Sequence, residues 1–381
     1  MKRGLALVLG LLAAACSDAP DAQSGGVSVQ ISGEEAATDG FLFPTGSEVA
    51  FADGWSLTFS HVLVTVAEVT LAENPDKAPA DQSQTDAVVA RQAGPWAVDL
   101  AVAGDAAPVG GEGSATALTH FAAQNLRDGR AFEPDRRYAF GYRLVEASDA
   151  AARVNFAGDE ATEALYARMI AEGYAVLYAG TATFEGEGCA TSDAAYDFEA
   201  LPREVPFELG FATPTHYRNC QNQENQGEAF EGEEYQRGIS VLPNRPAVAQ
   251  VTLHLEHPFF SDTVHDSPLF FDQMAARRAG AEAPLALTVK DLVGVDPTAF
   301  ADQNGQPLPW RVCPTGDAAA ELPPGKQRSF GVGHVLVDPA GDPREVFRDY
   351  ADYVRYLQSA QGHLNGGEGL CSIERDFTAP K

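Results

Sequence analysis

At 381 residues with 45% hydrophobic content, the chain is long enough for one large domain or two intimate ones. Its formal charge of −28 excludes nucleic acid as a partner, because a phosphate backbone demands a basic footprint. The same charge opposes lying flat on anionic lipid and suits an exported protein that must stay dispersed.

The first fifteen residues read as an export leader. Met1-Lys2-Arg3 is basic, and residues 4–15 are small and apolar, too few to span a bilayer as a helix. Leu12-Ala13-Ala14-Ala15-Cys16 resembles the lipobox of bacterial lipoproteins, with its leucine one place earlier than is usual there. That resemblance implies cleavage before Cys16, a diacylglycerol on its sulfur and an acylated amine. Ser17 behind the cysteine implies the outer membrane, where several acyl chains would anchor the protein. Residues 16–39 are then the lipidated cysteine and a flexible tether, and residues 40–377 a single β-rich domain.

Residues 55–71 alternate at first, with Leu57, Phe59, His61 and Leu63 on one face, then turn apolar on both. This pattern predicts a central strand with a bulge or bend. Residues 72–94 read as a long loop, 95–100 as a short strand anchored by Trp96, 116–127 as a short helix and 137–145 as a strand. A helix over 159–172 has Asp159 to cap it and Gly173 to stop it. Strands follow at 174–184 and 205–213. The acidic run 221–238 lacks the alternating ligands of a calcium loop and reads as exposed.

Residues 247–257 alternate most clearly. Gln250, Thr252, His254 and Glu256 share one face; Ala249, Val251, Leu253 and Leu255 share the other. A helix is predicted from Ser267-Pro268 to about Ala279, and a strand over 287–295. A C-terminal helix over 343–361 buries Val346, Tyr350, Tyr353 and Leu357. Together these elements predict a mainly β fold: a β-sandwich with helical insertions and a C-terminal helix.

Four cysteines follow Cys16, and in an oxidising compartment an even number predicts two disulfides. Proximity along the chain favours Cys189–Cys220 and Cys313–Cys371.

Three of the eight histidines fall within residues 254–265, where a strand ends and a helix is predicted to begin. Imidazoles and carboxylates converging from rigid backbone hold first-row metals best. The candidate ligands are His254, His257 and His265, with Glu256 or Asp266, and the natural guest is copper or zinc. The plainer alternative is that these histidines are hydrogen-bonded structural residues. His61 reads as packed, and His216 and His363 as structural, the latter beside a helix C-terminus.

No nucleophile elbow, phosphate loop or His-Glu-x-x-His helix is present. The preferred reading is therefore a non-catalytic, membrane-anchored metal binder. A metal-free envelope module for a glycan or protein partner is the alternative, with Trp55, Trp96 and Trp310 either in the core or lining a sugar groove. A metal-dependent hydrolase comes third.

Much of the mature chain resembles an uncharacterised family of bacterial lipoproteins. The likeness rests on Asp53-Gly54-Trp55, Gly94-Pro95-Trp96-Ala97-Val98-Asp99-Leu100, His257-Pro258-Phe259 and Val264-His265-Asp266-Ser267-Pro268. It implies no activity. More loosely, an exported β-rich chain with clustered histidines is similar to copper-binding partners of di-haem peroxidases, which implies copper.

Overall fold

The long strand Trp55–Ala72 lies at the middle of the larger of two main sheets. Val176–Phe184 pairs with it on one side and Arg137–Leu144 on the other, both antiparallel. The sheet continues outward through Glu204–Phe211 at one edge, and through Thr215–Arg218 and Ser372–Arg375 at the other. Eighteen residues cannot stay in register with several partners, so the strand slips between Phe59 and His61 and again between Ala67 and Thr70. Burial on both faces explains why its second half loses alternation.

The computed structural model describes residues 25–44, 50–110, 113–225, 235–242, 244–280, 285–315, 320–366 and 368–381. Cys16, the leader and half of the acidic run lie outside them. Among the described residues no helix is long and apolar enough to cross a membrane.

The smaller sheet runs His363–Leu364, Ala247–Thr252, Val27–Ser32, Ala115–Phe121. Its two central strands are parallel, in the register Val27↔Ala247 to Ser32↔Thr252. Val27, Val29 and Ile31 join the same hydrophobic cluster as Trp55, Phe140 and Tyr178 of the large sheet. The chain is thus mainly β with helical insertions, and the buried face of each sheet contributes to one core.

Several sequence expectations need correction. The tether does not extend to residue 39: Val27–Ser32 is an interior strand and Glu34–Asp39 a short helix. Residues 115–121 form a strand rather than a helix, because pairing with Val27–Ser32 suits the β-branched Thr116 and Thr119. The 72–94 loop contains the strand Val88–Gln92. The 287–295 strand is a 3-10 turn, Val289–Leu292, closed by a capping box between Thr288 and Asp291. The C-terminal helix is only Tyr350–Gln358, capped by Asp349. The 267–279 helix shrinks to Asp272–Ala275 and a following 3-10 turn. Helix Glu160–Glu172 agrees with its expected cap and stop, Asp159 accepting from the Thr162 N–H and Gly173 left-handed.

The disulfides are Cys189–Cys313 and Cys220–Cys371, not the local pairs. Sheet register is the reason. Thr215–Arg218 lies three strands away from Val176–Phe184, which carries Cys220 away from Cys189. Instead Arg218 pairs with Ser372, bringing Cys220 to Cys371, and Ala190 pairs with Val312, bringing Cys189 to Cys313. Non-reducing peptide mapping is expected to recover Cys189 joined to Cys313. A Cys189–Cys220 peptide would contradict this register.

Candidate metal centre

The strand Ala247–Thr252 ends one hydrogen bond before the histidines, Leu253 N–H still donating to the Ser32 carbonyl. The chain then turns. His257 opens the 3-10 turn His257–Phe259, and Phe259 N–H donates to the Glu256 carbonyl at 2.8 Å. This turn swings His257 to the side of His254, which a continued strand would not do. A loop follows, closed at its base by Ser261 N–H donating to the Pro268 carbonyl. His265 projects from that loop.

A fourth histidine arrives from the far end of the chain. His363 pairs with Thr252 across the sheet edge, two residues from His254. Its ring centre is 4.3 Å from that of His254 and 6.2 Å from that of His257. The other four centre-to-centre distances are 5.4–6.1 Å. Nitrogens about 2 Å from a tetrahedral ion put ring centres about 5 Å apart. One nitrogen from each of the four rings lies within 4.8 Å of the other three. A group that can hold a metal ion is therefore present: His254, His257, His265 and His363.

No protein family, curated protein or solved structure matches this chain. The site is read from its own chemistry.

Among the described residues, both nitrogens of His257, both of His363 and Nε2 of His265 are buried without a hydrogen-bond partner. A core histidine kept for packing finds partners for its ring nitrogens. Here one nitrogen of each ring converges with those of its neighbours, which describes a ligand set. Burial, with the His254, His257 and His265 rings around it, pushes the His363 imidazole well below its usual range. Burial likewise holds His257 at about 3, despite the opposing pull of Glu256. Both rings are neutral at neutral pH and offer lone pairs.

The carboxylates play a different part. His254 Nδ1 lies 2.8 Å from Glu256 Oε1, and its Nε2 lies 3.3 Å from Glu34 Oε1. Burial alone would raise the Glu256 carboxyl, but the His254 charge and hydrogen bond override it and hold it at about 2. Glu256 thus fixes which way the His254 ring faces, as outer carboxylates do around metal-bound histidines. Glu34, Glu256 and His254 also form a second group able to hold a cation. Asp266 reaches only the outward Nδ1 of His265, at 3.0 Å, and stays exposed.

The remaining candidates lie elsewhere. His61 belongs to the other sheet, held by Asp99 at 2.7 Å. Trp55 and Trp310 are core residues and Trp96 is half-buried, so they do not share a groove. His363, read from the sequence as a structural residue beside a helix C-terminus, instead joins the cluster; its two-residue strand has no period to read.

Proposed function

We propose that this chain is an exported, lipid-anchored protein that binds one copper or zinc ion at His254, His257, His265 and His363, without catalysis. The observation that carries this reading is the convergence of His254 with the buried, partnerless ring nitrogens of His257, His265 and His363. Imidazole suits both metals, and the general affinity order for such donors favours copper(II). Four protein ligands fill a tetrahedral shell, as in sites that keep an ion rather than activate water. Glu34 and Glu256 nearby balance the ion's charge. Anchoring through Cys16 at the outer membrane rests on the leader sequence.

Purified mature protein is expected to carry about one ion per chain, and His254→Ala with His257→Ala to carry none. Elemental analysis with melting in copper, zinc and chelator checks this. A metal-free protein whose melting temperature ignores both metals sinks the reading.

A further inference from the structure

This inference deepens the metal-centre reading and rests on it. Three of the four imidazoles belong to the body of the protein: His254, His257 and His363 are 7%, 3% and 0% exposed. His265 differs, with 35% of its side chain open to solvent. Its inward Nε2 is buried and without a partner, while its outward Nδ1 faces Asp266, which is 82% exposed. The ring therefore stands between the cluster and the outside.

What holds His265 in place is slight. Its loop is tied at its base, to itself through Ser261 to Pro268 and through the Asp262 N–H to Ser267 Oγ at 3.2 Å, and to the body through Gly331 N–H donating to the Ser261 carbonyl at 2.8 Å. Val264 beside it is exposed. His363 is held in the sheet, and the Phe260 ring lies 5.0 Å from His257 and 6.0 Å from His265.

A second way in exists on paper. Glu34 lines a cavity with Gln250 and Thr252, but its volume is only 40 Å³. None of the four histidines lines it.

We propose that the ion enters and leaves past His265, which yields its place to a donor brought by an incoming carrier. The protein then hands its metal on. The step is a ligand substitution: the bond from metal to His265 Nε2 breaks, a bond to the carrier's nitrogen or sulfur forms, and the metal's oxidation state is unchanged. The three buried imidazoles keep the ion during the exchange.

The test loads the full-length mature protein with copper or zinc and follows transfer to excess chelator. Wild type, His265→Gly and Glu34→Gln are compared, with circular dichroism as the check on folding. His265→Gly is expected to keep its ion yet release it about tenfold faster or more, and added imidazole to slow it again. Glu34→Gln removes a charge beside His254, so its release is expected to quicken far less than that of His265→Gly and not to respond to added imidazole. Release from His265→Gly at the wild-type rate, or acceleration confined to Glu34→Gln, overturns the route while the metal centre stands. Loss of the ion from His265→Gly at loading also overturns it, since three ligands must then be too few. A wild type that takes up no metal overturns the centre and the route together.

Discussion

His363→Ala is expected to abolish metal binding and, with it, the metal-induced rise in melting temperature. The ring is wholly buried, both of its nitrogens lack partners, and it is the nearest neighbour of His254. Removing it deletes one of four ligands and opens a gap that no other donor of the cluster lines. An ion at one hundred times its dissociation constant stabilises the folded state by about 2.7 kcal/mol. In a domain of about 350 residues that is worth roughly 4 °C. The sign in chelator separates ligand from packing residue. Without metal, deleting two unsatisfied nitrogens relieves a desolvation cost that offsets much of the lost packing. Wild type and variant should therefore melt close together in chelator and diverge only when copper or zinc is added. Equal metal content in the two proteins would show that His363 is no ligand.

Arg328→Met is expected to be among the most destabilising substitutions in the chain. Arg328 is fully buried and donates to Asp53 at 3.1 Å, to Asp272 at 3.0 Å and to the side-chain Oε1 of Gln273 at 2.9 Å. Arg311 also pairs with Asp272, so two arginines balance two aspartates. Burial and the Asp272 charge already push Asp53 up to about 7 in spite of Arg328. Without Arg328 one carboxylate stays uncompensated, and breaking a buried pair in this way costs about 3–5 kcal/mol. Adding Asp53→Asn restores the balance of Asp272 with Arg311. The double variant should therefore recover part of the loss in urea unfolding, and a purely additive result would refute the charge argument. The cluster also bears on the metal centre. Asp53 accepts the Phe271 and Asp272 N–H groups, fixing the chain just beyond the loop that carries His265.

What the sequence revealed follows a physical division. Helix Glu160–Glu172 and the strands Trp55–Ala72 and Ala247–Thr252 were legible because caps and alternation are local properties. Val27–Ser32, Ala115–Phe121 and His363–Leu364 were not, since each is a strand only by virtue of distant partners. The cluster divides the same way. His254, His257 and His265 stood out as neighbours in the chain, whereas His363 reaches them through sheet pairing alone. Asp266 looked equivalent to Glu256 in sequence, yet only Glu256 turns inward, towards His254. The cysteine pairs were misread for a related cause: chain proximity stood in for strand order.

The two disulfides interleave along the chain, 189 to 313 and 220 to 371. A protease that nicks the backbone once anywhere between residues 189 and 371 therefore leaves a single covalent molecule. A nick in the loop bearing His265 would put His254 and His257 on one fragment and His363 on the other. Both disulfides would still span that break, keeping these imidazoles on one tethered particle after the peptide chain itself is severed.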